Sequence, residues 1–483
     1  MSGLFRRSSG RPSRGRRARL LLAVLMTGAL AAAACSSPRT STPQRPATTA
    51  STAAPTVAIP PDAAARAQLE WLIAAMAQLP MADGEVRAHI NSAVLEVVNP
   101  ASLNEWLRGV NEWLETATGP KVDSIKAGEP STVFAVISAG DPGRRARVTV
   151  TVDTRGMISS LDFSPADTAP VPTTWSEVDA DLRSVAPRVR LLVAKVTDGS
   201  CQPVHSIDAE TAAQIGSVFK LYVLDALDNA VATGKIGWDQ SLTVTDKLKS
   251  LPSGVLQNEP DGTQISVRDA AGKMISISDN TAADMLINLV GRSEVEATLT
   301  STGMADPALN RPFLTTREAS ILMLKQWPTL AKRYLAADEA GRRALLSNPV
   351  DRLPLPTIAE AQALNSRRGI RGMGYFASAS DICRVYVSLA DLARRPDLSP
   401  VGQALSFNDA GLELDPAQWK TTWFKGGVGP GALAVAYLAI TQAGQSYVVV
   451  ALAENPSKPI DGLKAGPVMF AAVKGAFTLA ARN

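Results

Sequence analysis

Histidine is almost missing from this chain, whose 483 residues carry only His89 and His205. Two imidazoles with no cysteine cluster beside them make no zinc centre of the usual ligand sets, and they give a Ser-His-Asp triad little support. Cysteine is nearly as scarce, with only Cys35, Cys201 and Cys383, and none of them has metal-site spacing. The apolar run Leu20 to Ala34 is too short for a transmembrane helix. An excess of positive charge is lacking as well. The formal charge is +4, but Arg6, Arg7, Arg11, Arg14, Arg16, Arg17 and Arg19 stand in the first 34 residues with no acid, so the remainder carries 4 − 7 = −3. That balance offers no basic surface to a nucleic acid, and with no nucleotide or metal motif no cofactor is expected. The whole chain is 46% hydrophobic and 19% charged, the composition of a well-packed globular protein, and long enough for a leader and two domains.

The arginines and the apolar run read as an export signal over residues 1–34. Its end, Ala32-Ala33-Ala34-Cys35, resembles a bacterial lipobox, although Ala stands where Leu is commonest. The resemblance implies lipidation at Cys35 and anchorage at the outer face of the cytoplasmic membrane. Residues 35–61, rich in Ser, Thr, Pro and Ala, read as a tether. Cys201 and Cys383 then either pair, as an oxidising compartment permits, or stay as buried thiols.

From residue 62 to 166 three apolar-periodic segments precede any strand: Leu69, Leu72, Ile73 and Met76; Val86, Ile90 and Val94; Leu103, Trp106, Leu107 and Val110. Alternating stretches follow at Lys121–Lys126, Thr132–Ser138, Arg147–Val152 and Met157–Phe163, with turns expected at Asp141-Pro142-Gly143 and Arg155-Gly156. Helices before a meander predict a small α+β domain. Its element order resembles the steroid-isomerase and nuclear-transport-factor (NTF2-like) domains. His89 and the tryptophans are expected in core packing and not in chemistry. Asp167 to Pro172 reads as a hinge.

The second domain, residues 173–483, is organised around Gly216-Ser217-Val218-Phe219-Lys220. A serine at the start of an apolar helix with a lysine three residues on puts hydroxyl and amine on one face, as a nucleophile beside its base. Ser278-Asp279-Asn280 follows 61 residues later at a helix-to-helix loop, where a serine relays a proton, an asparagine amide binds a substrate carbonyl and an aspartate caps the next helix. The third element, Lys425-Gly426-Gly427-Val428, precedes two β-type runs and a last helix near 462–481.

Three such elements in this order resemble the class A β-lactamases and penicillin-binding proteins. With the lipobox and the N-terminal domain, the whole is similar to LpqF-type lipoproteins and to a two-domain serine hydrolase of clavulanic-acid gene clusters. The resemblance implies an antiparallel sheet flanked by helices plus an all-helical lobe. It also implies Ser217 as nucleophile, Lys220 as base, Ser278 and Lys425 as proton relay, Asn280, Gly426 and Gly427 lining the substrate, and the N–H groups of Ser217 and Val428 as oxyanion donors. The chain departs from the pattern in two places. The hydroxyl usual between lysine and glycine is replaced by Gly426, and the glutamate that positions the deacylating water has only Asp306, in Asp306-Pro307-Ala308-Leu309-Asn310, or Glu318 as substitutes. Arg367, Arg368 and Arg371 form either an anion site or a solvated loop. An esterase or amidase on a small molecule, or a non-catalytic binding or sensor protein on the same fold, is expected ahead of a β-lactamase or D,D-peptidase.

Overall fold

The computed structural model describes residues 62–140, 143–166, 169–251, 253–356 and 373–482. The export signal, Cys35, the tether, Asp141-Pro142, part of the 167–172 hinge and the arginines at 367, 368 and 371 lie outside the described residues.

The N-terminal unit begins with helices α1 (Ala63–Met76), α2 (Asp83–His89), α3 (Ser92–Leu95) and α4 (Pro100–Leu114). Asn99 caps α4 by accepting from the Ser102 N–H, Pro100 takes a first-turn position, and Glu115 closes the helix in the left-handed conformation. An antiparallel meander in the order β1 (Lys121–Ala127), β2 (Thr132–Ser138), β3 (Arg145–Val152) and β4 (Ile158–Pro165) follows. Leu69, Leu72, Leu107 and Val110 from the helices meet Val133, Ile137, Val148 and Val150 from the strands in one buried cluster. Trp71 stacks on His89 with centroids 4.0 Å apart, and Trp106 meets Phe163 edge-on, so these rings serve packing.

The C-terminal unit opens with α5 (Trp175–Val185), β5 (Arg188–Thr197) and β6 (Ser200–Ile207). Next come β7 (Ala213–Gln214), a 3-10 turn at Gly216–Phe219, α6 (Lys220–Ala232), β8 (Ser241–Thr243), β9 (Gln264–Ser266), α7 (Val267–Ser276), α8 (Asn280–Val290) and α9 (Arg292–Ser301). Short helices α10 (Thr316–Ser320), α11 (Thr329–Ala336) and α12 (Glu339–Ser347) precede β10 (Phe376–Ala377), α13 (Ala379–Leu392) and α14 (Ser399–Ser406). The chain ends with β11 (Trp419–Gly429), β12 (Ala432–Thr441), β13 (Ser446–Glu454) and α15 (Gly462–Ala480).

Its main sheet runs β11-β12-β13-β5-β6, every neighbour antiparallel. Strands buried on both faces need apolar cover on both. α5 and α15 pack Val178, Leu182, Met469 and Phe477 on one side, while α6 and α13 pack Leu221, Leu224, Ile382 and Tyr386 on the other. A separate cluster with Leu322, Leu330, Tyr334 and Leu346 holds the small helices of the lobe. The cysteines left open by sequence are bonded: a Cys201–Cys383 disulfide ties edge strand β6 to α13.

The two units are joined by more than the connecting chain. Lys273 on α7 reaches across to Glu129 at 3.0 Å and 3.1 Å and to the Ser131 hydroxyl, with Glu129 only 1% exposed. Burial pushes the Glu129 carboxyl up, but the Lys273 charge and the hydroxyls of Ser131 and Thr132 outweigh it and hold the group below the usual carboxylate range. Thr154 donates to Glu259 from both N–H and hydroxyl. Removing one member of a buried pair strands the other. Glu129→Gln is therefore expected to destabilise the chain by about 3–5 kcal/mol in guanidinium unfolding, more than Glu129→Gln combined with Lys273→Met.

Candidate active site

Three separate stretches bring polar groups to one crevice, and the first is fixed by backbone geometry. Glu454 accepts from the Gln214 N–H at 3.0 Å, and Gly216 turns the chain in the left-handed region at φ +48°. Strand β11 then lies against the turn so closely that a Cβ on Gly427 would fall 2.0 Å from the Ile215 carbonyl oxygen and 2.8 Å from the Ser217 nitrogen. Only glycine fits there. Ser217 is half-buried in this 3-10 turn, and the α-helix begins only at Lys220. The serine thus stands one element earlier than the spacing predicted, because the tight turn at Gly216 precedes regular helix.

Lys220 is fully buried. Its ammonium donates to the Ser278 carbonyl oxygen, to Asn280 Oδ1 at 2.7 Å and to Ser278 Oγ at 3.2 Å. Burial lowers its pKa to about 7 against the opposing pull of Asp279 and Asp284. Lys425, 2% exposed, donates to the same Ser278 Oγ at 3.0 Å and to the Gly426 carbonyl at 2.9 Å. Burial and the neighbouring Lys220 charge hold Lys425 well below the ordinary lysine range. Two amines around one hydroxyl, shut from water, leave at least one of them neutral near pH 7.

The loop carrying Ser278 is held from behind. Ser278 itself has φ +59°, an uncommon value for a residue with a side chain. Asp279 is wholly buried, caps α8 through the Ala282 N–H at 2.8 Å, and accepts from the Val255 and Leu256 N–H groups at 2.7 Å and 3.0 Å. Ser253 donates its hydroxyl to the Ser278 carbonyl at 2.8 Å, and its own carbonyl accepts from the Asn280 N–H.

Asn280 supports Lys220: its oxygen accepts from Lys220 and one N–H of its amide donates to the Leu251 carbonyl at 2.8 Å, and these two bonds leave the second N–H for the substrate carbonyl expected of it. Gly426 and Gly427 lie on β11 beside Lys425, and Val428 is 72% exposed at the rim, where a Cβ on Gly216 would come within 2.7 Å of its nitrogen. Neither carboxylate considered for water activation joins the cluster. Asp306 is exposed, and Glu318 caps α10 and pairs with Arg292 at 2.7 Å. His205 pairs with Asp179 and stacks on Trp175, away from this network.

Sequence reasoning passed over Ser253 and Asp284. Asp284 is buried, accepts from Thr316 and Arg317, and is pushed by burial up to about 7. Its position one helical turn past Asn280 was a usable signal. Ser253 lies 25 residues upstream and carried none.

Residues 174–344 match the model of the Beta-lactamase enzyme family. They include Ser217, Lys220, Ser278 and Asn280 and stop short of Lys425. A β-lactamase structure from Sphaerobacter thermophilus is 19% identical, over 63% of this chain and 98% of that one, with a TM-score of 0.44. The structure of PBP-A is 16% identical over 65% and 99%, with a TM-score of 0.43. A β-lactamase from Burkholderia vietnamiensis is 14% identical over 64% and 96%, with a TM-score of 0.44. No curated protein matches the sequence. The C-terminal unit thus has a β-lactamase-like fold, of which the matched residues supply β5, β6 and the helices α5 to α11, while β11, β12 and β13 lie beyond the match.

The contact of β11 with the serine turn sets the site's geometry. Gly427→Ala is expected to force the two apart, costing about 1–3 kcal/mol in denaturant unfolding, whereas Gly237→Ala, with nothing within 4 Å of the added carbon, is expected to be nearly neutral.

Proposed function

We propose that this chain is an exported, lipid-anchored serine hydrolase that opens a small ester or amide through an acyl-enzyme on Ser217. One observation carries this reading: a fully buried Lys220 with a pKa of about 7 shares the Ser278 hydroxyl with a second buried amine, Lys425. A lysine so tuned is half neutral at physiological pH and can act as a base.

Ser217 Oγ attacks the carbonyl carbon and its proton passes to the neutral amine of Lys220. The oxyanion rests on the N–H groups of Ser217 and Val428, a role supported by the close approach of β11 to the turn. As the tetrahedral intermediate collapses, the Ser278 hydroxyl gives its proton to the departing oxygen or nitrogen. That proton is replaced from the lysine pair. Water then attacks the acyl group by the same route in reverse. Neither Asp306 nor Glu318 touches the network, which leaves the water step without a dedicated carboxylate and counts against rapid turnover of β-lactams.

The remaining parts of the proposal rest on sequence. Lipidation at Cys35 and the outer face of the cytoplasmic membrane follow from the lipobox and the 35–61 tether, and the Cys201–Cys383 disulfide suits an oxidising compartment. We divide the chain into an NTF2-like domain at 62–166, supported by four helices before a four-stranded meander, and a hydrolase domain at 173–483.

Hydrolysis of nitrophenyl acetate, with intact-protein mass spectrometry, tests this. Ser217→Ala is expected to lose the activity by at least about a thousandfold and to form no acyl adduct. Full activity in that variant rules the proposal out. Because the neutral amine is the working form, kcat/KM is expected to climb about tenfold per pH unit below about 7 and level off above it. A profile flat from pH 5 to 8 would remove Lys220 from the role of base.

A further inference from the structure

An open recess of about 510 Å³ lies at one end of the main sheet, where the last turn of α5 meets the first residues of β5 and the connection from β6 to β7. Its size falls within the roughly 300–1,000 Å³ of small-molecule sites. Three arginines line it, Arg183 from α5 and Arg188 and Arg190 from β5. Strand alternation puts Arg188 and Arg190 on one face, with Val189 between them turned into the core. Arg183 and Arg188 are exposed, and neither pairs with a carboxylate among the described residues. Arg190 is only 6% exposed and is held in one orientation. Its Nη1 donates to Glu454 Oε2 at 2.8 Å, while Glu454 Oε1 accepts from the Gln214 N–H at 3.0 Å. Nε is shut from water, 3.8 Å from Asp208 Oδ2. Nη2 has no partner among the described residues and is not shut from water, so it is the nitrogen that this buried guanidinium turns to the recess.

Two carboxylates oppose these three cations. Glu454 sits behind Arg190, and Asp208, whose Oδ1 accepts from the Thr211 hydroxyl at 2.5 Å, stands at the exposed rim. A positive charge is left over, and the donors of Arg183, Arg188 and Arg190 Nη2 are left unfilled. We propose that this recess binds a phosphomonoester, its terminal oxygens on Arg183, Arg188 and Arg190 and its organic part against Ile207. A carboxylate offers two oxygens in one plane to a single fork, whereas a phosphate ester offers three, one for each guanidinium arriving from α5 and from two positions on β5. The fixing of Arg190 by Glu454 removes part of the ordering cost in advance. Soluble phosphate esters and phosphomonoester lipid headgroups share this chemistry.

Glycerol 1-phosphate, glycerol and acetate are the probes, titrated against the full chain by calorimetry at about 0.15 M salt, where diffuse surface charge is screened. Glycerol 1-phosphate is expected to bind at least about tenfold more tightly than acetate, and glycerol not to bind. Arg188→Ala, at an exposed position, is expected to weaken the phosphate ester about tenfold without moving the unfolding midpoint; Arg183→Ala replaces it should that variant fail to fold. Dihexanoyl phosphatidic acid, a lipid short enough to stay dissolved, separates the two sources. Tighter binding of it than of glycerol 1-phosphate assigns a lipid headgroup, and equal or weaker binding assigns a soluble ester. Equal affinity for acetate and glycerol 1-phosphate overturns the phosphate assignment. Binding unchanged in the arginine variant, or no binding of either phosphate compound, overturns the site. None of these readouts uses hydrolysis, so they stand or fall apart from the acyl-enzyme mechanism.

Discussion

An ammonium taken out of water loses its hydration, and here two amines are taken out around a single oxygen. Lys220 and Lys425 both donate to Ser278 Oγ, and neither is more than 2% exposed. Such an arrangement persists only if the surrounding chain leaves the amines nowhere else to go. α6 supplies one from its first residue, β11 supplies the other from the edge of the sheet, and the α7–α8 loop supplies the hydroxyl between them. Each anchor noted above answers this demand: the Gly216 turn, the closeness of Gly427, the buried Asp279, and Asn280 bound at both ends of its amide. A neutral amine also frees one contact. With three donors as an ammonium and two as an amine, Lys220 can then accept from a hydroxyl and not only give to it.

The backbone at Ser278 shows the same constraint from another side. A residue with a side chain occupies left-handed φ there, held by Ser253 at its carbonyl and by Asp279 immediately after it. Strain of about 1–3 kcal/mol at such a position is sustained by neighbouring hydrogen bonds and not by the residue itself. Much of the support comes from the segment from Ser253 to Leu256.

Much of this was readable in the sequence, unevenly. Short β-prone runs bounded by turn residues made β1 to β4 legible, and the long apolar runs before residue 455 made β12 and β13 so. Ser217, Lys220, Ser278 and Lys425 could be singled out because short motifs with fixed spacing carry them. What spacing does not encode is which polar groups satisfy one another. Asn280 was readable as a substrate ligand, but not that its oxygen would hold Lys220 and one of its N–H groups the Leu251 carbonyl. Ser253 gains its meaning only from a contact made after folding, its bond to the Ser278 carbonyl. The disulfide was undecidable for the same reason, since two cysteines separated by 182 positions say nothing about the distance between their Cα atoms, 6.5 Å here.

The Lys273–Glu129 pair bears on how this molecule can be taken apart. Lys273 belongs to the helix whose carbonyl receives the Asp279 N–H, and its ammonium is paired with a carboxylate from the N-terminal unit. An excised C-terminal fragment would carry that lysine without its counter-ion, one turn below the Ser278 loop, and the complementary piece would carry Glu129 without its own. Dissection between the units therefore yields two altered proteins in place of two modules, and the small unit is better regarded as a buttress of the larger one than as a passenger beside it.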